Sequence, residues 1–175
     1  MAEIDFITAF ARLLRDGTLR DQFAEDALAA AKNIQLRLTD YPAWQQLVSA
    51  DVEFQADVLL RKRLDAVKTF APATCRRLGD TLWPVFREFA RHHWPGEEDE
   101  KFLDAHQFCR ALKQKQPDAV AGWEWNRFKF ALSKSHVAFF LVKIPLAKNK
   151  SRRGIQLLTR NRSGRGREFF IYLGL

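Results

Sequence analysis

The chain has 175 residues, of which 47% are hydrophobic and 29% are charged. This is the composition of a globular protein, and the length suits one buried core, with or without a small appendage. No stretch approaches the roughly 20 continuous apolar residues of a membrane span, and Glu3 and Asp5 stand where a secretory signal would be basic. Cys75 and Cys109 form no CxxC pair, so we expect a cytoplasmic protein without a disulfide framework.

The net charge of +8 lies entirely in residues 135–175, which contain nine basic residues and one acidic residue, Glu168. Residues 1–134 contain 20 residues of each sign and are neutral. This asymmetry predicts an anionic partner for the C-terminal segment: a nucleic acid, an acidic peptide or an acidic protein surface. A solubilising role on exposed strands is the alternative interpretation.

The first 134 residues show the apolar spacing of helices separated by capping and breaking residues. One apolar stripe predicts a helix over residues 4–14 that ends at residues 16–17. A second apolar stripe, interpreted as one helix, covers residues 19–30. A short helix follows around residues 44–48. We predict seven or eight helices in all.

The longest predicted helix covers residues 52–70, and Pro72 ends it. Its predicted inward-facing residues are Val52, Leu59, Ala66 and Phe70. A short turn then stops at Gly79, and an aromatic helix follows. Residues 102–112 and 122–132 complete the helical body.

The period of the pattern changes near His136, where residues 137–144 read as a β-strand. Residues 155–160 and 168–173 are the second and third candidate strands, and residues 162–166 are a credible hairpin turn because they contain two glycines. The fold class is therefore α+β: a mainly α-helical N-terminal body, residues 1–134, followed by a basic three-stranded antiparallel meander, residues 135–175, packed on it.

A three-stranded sheet leaves at least one strand edge free. The basic residues could protect that edge from aggregation, or they could mark where another chain adds a strand. The aromatic residues of the strands alternate across the two faces, so stacking on bases is also open. These aromatic residues are Phe139, Phe140, Phe169, Phe170 and Tyr172.

Residues for catalysis are sparse. His106 and Cys109 are three apart on a probable helix, but two ligands do not make a zinc site. There is no GxSxG elbow, and the glycines of residues 163–166 lead into a strand rather than a helix, so a phosphate cradle is not expected. We expect a protein that is not an enzyme on its own.

Four short motifs carry a family resemblance. Residues 60–64 (LRKRL), 70–74 (FAPAT), 78–79 (LG) and 82–89 (LWPVFREF) resemble the helical segment of small partner proteins encoded beside multinuclear non-haem iron-dependent oxidative enzymes. Residues 108–112 and 124–128 are similar to the closing helices of that family, and the resemblance covers roughly residues 5–132. The short build and β-rich C-terminus are most like the partner subunit of the methanobactin biosynthesis oxidase. Longer members, often labelled putative DNA-binding proteins, carry a larger C-terminal region.

The resemblance implies a non-catalytic subunit in a heterodimer or larger complex. In such a complex the iron-dependent oxidase modifies cysteines of a ribosomally made precursor peptide, and the small subunit binds the leader part by strand addition. The chain then needs no cofactor of its own, and the iron belongs to the partner enzyme.

From the charge pattern we predict two sets of contact residues. The predicted peptide-binding residues are Arg152, Arg153, Arg160, Arg162, Arg167, Phe170 and Tyr172. The predicted docking residues for the oxidase are Arg61, Arg63, Arg76 and Arg77. The alternative is a nucleic-acid-binding protein that uses the basic sheet, which predicts a steep loss of affinity with salt.

Overall fold

The fold was taken from a computed structural model that describes residues 3–95, 100–145, 151–161 and 163–173. The helices are α1 (Phe6–Arg15), α2 (Gly17–Glu25), α3 (Ala27–Asn33), α4 (Tyr41–Gln45), α5 (Ser49–Phe70), α6 (Pro72–Leu78), α7 (Leu82–Arg91), α8 (Glu100–Lys115) and α9 (Gly122–Leu132). The strands are β1 (Val137–Pro145), β2 (Ser151–Arg160) and β3 (Gly166–Tyr172). The α+β class with its C-terminal antiparallel sheet is therefore confirmed.

Aspartate side chains divide the first helices. Asp16 accepts hydrogen bonds from the backbone N–H groups of Thr18 and Leu19 and so begins α2. Asp26 caps α3 in the same way. The single helix predicted over residues 19–30 was wrong for this reason, because an aspartate that caps its own downstream N–H groups favours a new helix start.

Helix α5 ends at Phe70, as predicted, but Pro72 begins the helix α6, where the sequence predicted a short turn. Gly79 follows α6 with a φ of 50°, a left-handed conformation that glycine adopts without a steric penalty. The buried face of α5 differs from the prediction, since Leu59, Ala66 and Phe70 are only partly buried. The buried residues are Val52, Ala56, Leu60, Leu64 and Val67.

The contacts divide the chain into two compact units. The first contains residues 1–69 and 80–108, with a core in which Trp44 and Phe23 meet edge to face. The second contains residues 70–79 and 109–175, so that α6, α9 and the sheet share one unit. The predicted division at residues 134 and 135 separates helix from strand along the chain, and as a domain boundary it stays a prediction.

The sheet has the strand order β1-β2-β3, with β2 antiparallel to both neighbours. Strand β2 begins at Ser151, four residues before the predicted start at residue 155. The turn between β2 and β3 includes Gly164 at a φ of 80° and the side chain of Asn161, which accepts a hydrogen bond from the N–H of Arg165. The hairpin prediction is thus confirmed for the described residues of the turn.

Within the described part of the chain, no helix is long and apolar enough to cross a membrane.

Candidate functional site

The two faces of the sheet differ in what covers them. The inner face contains Phe140, Val142, Gln156, Leu158 and Phe170, which are buried or half-buried, and α9 packs against it. The outer face is exposed on β1 and β3 and partly buried on β2. Its apolar residues are Val137, Phe139, Leu141, Ile155, Leu157, Phe169 and Ile171.

A buried glutamine joins α9 to the inner face. The side chain of Gln156 has no exposed surface, accepts a hydrogen bond from Asn126 Nδ2 (3.1 Å) and donates to the carbonyl of Trp123 (2.9 Å) and to Glu168 Oε1 (2.6 Å). The ring of Trp123 also meets Phe170 edge to face, with 6.1 Å between ring centroids. These contacts determine which residues of α9 lie beside each strand.

The register shows which backbone groups of β1 point away from the sheet. The N–H of Arg160 donates to the carbonyl of His136, so these two residues are a hydrogen-bonded pair. In an antiparallel ladder every second residue pair is hydrogen-bonded, and this pair fixes which pairs of β1 and β2 those are. The intervening residues therefore direct their N–H and C=O groups to the other side. These are Val137, Phe139, Leu141 and Lys143, and no strand that the structure describes lies on that side of β1.

The free edge of β3 is defined in the same way. The N–H of Leu173 donates to the carbonyl of Arg153, which makes Gly166, Glu168, Phe170 and Tyr172 the residues with outward backbone groups. The two edges differ in their surroundings. On the β3 side, Trp123 packs against Phe170, and Arg127 Nε lies 3.8 Å from Glu168 Oε2.

A groove of about 450 Å³ lies beside β1, and we call it the β1 groove. Leu141, Val142 and Lys143 form its strand side, and α9 contributes Trp125 and Lys129. The remaining lining residues include Arg77, Lys113 and Asp118. The groove thus contains four cationic side chains and one carboxylate, next to unpaired backbone N–H and C=O groups.

Three of the four cationic side chains of the β1 groove have contacts with aromatic rings or backbone carbonyls. Lys113 Nζ lies 6.0 Å from the centroid of Trp125, and Lys129 Nζ lies 5.3 Å from that of Phe140. Arg77 Nη1 donates to the carbonyls of Asp118 (3.1 Å) and Val120 (3.0 Å). These contacts restrict where the positive charges sit, which favours selective binding of an anionic ligand.

The predicted peptide-binding arginines lie at opposite ends of the sheet rather than in one cluster. Arg152 and Arg153 are exposed near the start of β2, and Arg153 pairs with Lys143 on the outer face. Arg167 is exposed on β3 opposite Thr159, roughly 20 Å further along at the rise of a strand. Arg162 lies outside the described residues.

Arg160 has a role that the sequence does not reveal. Its guanidinium donates to the carbonyls of Phe130 (2.8 Å), Ala131 (3.0 Å) and Ser133 (3.2 Å), and so satisfies the C-terminal end of α9. The two predicted apolar contacts lie on the inner-face side of β3: Phe170 packs on Trp123, and Tyr172 is half exposed at the strand end.

Three of the four predicted docking residues also have intramolecular contacts. Arg63 forms an ion pair with Asp104 at 2.8 Å, and Arg61 lies 4.1 Å from the centroid of Trp83. Arg77 has the carbonyl contacts described above. Arg76 is exposed.

A buried carboxylate positions the start of α9. Glu124 has no exposed surface and accepts hydrogen bonds from the N–H of Ala73 (2.6 Å), the N–H of Thr74 (2.8 Å) and the hydroxyl of Thr74 (2.6 Å). It therefore satisfies the first turn of α6. The residue pattern of the sequence assigns no role to Glu124, because its partners are about 50 positions away.

The thiol of Cys109 is fully buried beside this carboxylate. Burial raises the pKa of the Cys109 thiol to about 12, and the negative charge of Glu124 adds to the shift. At neutral pH the thiol is protonated, so it is a poor nucleophile and a poor metal ligand. Across the described ranges, no group of three or more His, Cys, Asp or Glu side chains is arranged to hold a metal ion.

A larger cleft, of about 700 Å³, lies in the first unit. Arg12, Arg15 and Arg91 line it, but Arg91 forms ion pairs with Asp21 and Glu53. The cleft is not bordered by a strand edge. It is therefore a weaker candidate for a peptide than the β1 groove.

Sequence comparison adds one partial match. Residues 38–114 match the family model described as the SCO6045-like, C-terminal domain. The matched segment contains the motifs of residues 60–89 and does not reach the sheet. No curated protein and no solved structure matches the chain.

Proposed function

We propose that the chain is a non-catalytic, cytoplasmic binding subunit that captures an acidic precursor peptide as an added strand on β1. In this proposal it presents the peptide to an iron-dependent oxidase, which modifies the cysteines of the peptide. The chain supplies recognition, and the partner enzyme supplies the iron.

The unpaired edge of β1 beside the β1 groove is the observation that supports the proposal best. Strand addition provides backbone hydrogen bonds without regard to sequence, whereas adjoining pockets and charges select the side chains. Both elements are present on β1: the outward backbone groups of Val137, Phe139, Leu141 and Lys143, and the cations of the groove.

The geometry of a strand predicts the pattern of the peptide. Residues of an added strand that lie opposite Phe139 and Leu141 place their side chains on the outer face, among apolar neighbours. The residues between them point to the inner side, where Lys113 and Lys129 line the groove. We therefore expect a ligand in which apolar and acidic residues alternate.

A peptide of nine residues, the length of β1, that alternates Glu and Val is the direct probe. Reversal of charge by Lys113→Glu and Lys129→Glu should weaken its binding at least tenfold, because two attractive contacts become repulsive. Fluorescence anisotropy with the labelled peptide measures the dissociation constant. A peptide of the same composition, with all Glu residues in one block, should bind weakly to the native chain.

The matched control is the pair Lys32→Glu and Lys62→Glu, which changes the net charge equally at exposed helical positions. Equal losses for the two pairs would show that only the total charge matters, and would contradict the site. A single-stranded DNA of the same length tests the nucleic-acid alternative. Tighter binding of this DNA, falling steeply with salt, would favour that alternative.

A further inference from the structure

The outer face of the sheet is an apolar surface that remains exposed. Phe139 is 67% and Leu141 80% exposed, and Phe169 and Ile171 are about half exposed. The register aligns them in two rows across the three strands. The rows are Phe139–Leu157–Phe169 and Leu141–Ile155–Ile171. A contiguous apolar patch on a soluble domain is typical of an interaction surface.

Positive charges border this patch at both ends. Lys143 pairs with Arg153 at one end, and Arg167 pairs with Thr159 at the other. The single acidic residue of the strands, Glu168, points to the inner face and bonds to Gln156. The outer face of β1, β2 and β3, as described, therefore carries apolar and cationic side chains and no carboxylate.

These charges distinguish between two possible occupants. A second copy packed face to face would bring basic ends against basic ends in either strand direction, which is unfavourable. A protein surface with an apolar centre and a border of Asp and Glu residues is complementary to the patch in both respects.

We propose that the outer face is the docking surface for the enzyme that modifies the peptide, through an apolar enzyme surface bordered by carboxylates. This inference rests on the proposed function. The outer face shares Leu141 and Lys143 with the β1 groove, but its residues on β2 and β3 lie outside the groove. A strand added to β1 extends the same outer face, so an enzyme docked there contacts both the chain and the captured peptide.

The test is the dissociation constant of the complex between the full chain and the iron-dependent oxidase of the proposed function, measured by biolayer interferometry. The double variant Phe169→Asp and Ile171→Asp should weaken the complex at least tenfold. Its affinity for the alternating peptide should stay unchanged, because β3 lies two strands, roughly 10 Å, from β1. Phe169→Thr with Ile171→Thr keeps good strand-forming residues, and should show the same loss if the first variant folds poorly.

Two further variants separate this inference from the proposed function. Lys113→Glu with Lys129→Glu should lose the peptide and keep the oxidase. The double variant Arg61→Glu with Arg76→Glu should keep the affinity for the peptide and for the oxidase. If this double variant weakens the oxidase complex and the outer-face variants do not, docking occurs on the helices and the inference is wrong.

The remaining outcomes are equally distinct. Wild-type affinity of both outer-face variants for the oxidase overturns the inference, while the proposed function stands. Failure of the native chain to bind the oxidase removes the proposed function and the docking surface together. A dimer of the chain alone, dissociated by Phe169→Asp with Ile171→Asp in sedimentation, would identify a second copy as the occupant and also overturn the inference.

Discussion

Arg160 illustrates why basic residues are hard to assign from sequence. The charge pattern places it among the peptide-binding residues, whereas its guanidinium bonds to three carbonyls at the end of α9. When the last carbonyls of a helix accept hydrogen bonds from a residue about 30 positions away, the sequence around the helix end does not indicate it. Peptide contact by Arg160 stays a prediction, and the cations of the β1 groove are better placed for it.

The cations of the β1 groove show the opposite case, because the sequence gives them no role and the structure places them beside the strand edge. Lys113 and Lys129 lie in the neutral part of the sequence, where the charge balance singles out nothing. Lys129 reaches the strand edge because α9 packs beside β1, and Lys113 reaches the same groove from α8. Alternation separates Phe139 from Phe140, and Phe169 from Phe170, but only the register and the packing of α9 show which of them share the exposed face.

At the residue scale, the buried thiol of Cys109 predicts a dependence of stability on pH. Its pKa is raised from 9.0 to about 12 in the folded chain, so above pH 9 the unfolded chain loses a proton that the folded chain retains. The free energy of unfolding should therefore fall as the pH rises from 9 towards 12, by about 1.4 kcal/mol per pH unit from this group.

Urea unfolding of the native chain and of Cys109→Ala, measured from pH 8 to pH 11, isolates this contribution. The alanine variant lacks the thiol, so the difference between the two chains should shrink with increasing pH. Parallel curves for the two chains would contradict a raised thiol pKa.

At the element scale, helix breakers were the most predictable features, whereas the aspartate cap at Asp26 was missed. Pro72 ends α5 because its ring and missing N–H do not allow the helix to continue, and Gly79 follows α6 because glycine adopts a positive φ without a steric penalty. The buried stripe of α5 was less predictable. Which apolar face of α5 is buried depends on the helices that pack against it. A face containing Leu59 and Ala66 fits the apolar pattern of the sequence almost as well as the face that is buried.

The strand pattern predicted β1 well, and β2 less well. Ser151, Arg152 and Arg153 are polar or charged and read as a loop, but they pair with residues 143–145 of β1. They belong to β2 because the register between β1 and β2 places them opposite the last residues of β1, where the pairing continues.

The contact between α9 and the sheet gives a prediction at this scale. Gln156→Leu keeps the volume of the side chain but leaves Asn126 Nδ2 and the carbonyl of Trp123 without their partner. We expect the free energy of unfolding to fall by roughly 2–4 kcal/mol, because unsatisfied buried polar groups are costly. Guanidinium unfolding measures this change; a loss below about 0.5 kcal/mol would show that the network contributes little.

For the whole molecule, the family match and the proposed site overlap only in part. The match covers residues 38–114 and includes Arg77 and Lys113 of the β1 groove, whereas β1, α9 and the turn of residues 117–120 lie beyond it. Composition correctly separates a neutral helical segment from a basic sheet. It does not reveal that β1 and β3 each have an edge to which no described strand pairs, because that depends on strand order.

Amide hydrogen exchange of the ¹⁵N-labelled chain, with and without the alternating Glu–Val peptide, tests strand addition on β1 most directly. In the free chain the amides of Ala138, Phe140 and Val142 should be protected by β2, and those of Phe139 and Leu141 should exchange freely. The peptide should slow exchange at Phe139 and Leu141 at least tenfold and change the others little. Protection at Glu168 and Phe170 instead would place the peptide on β3, and no protection at either edge would contradict capture by strand addition.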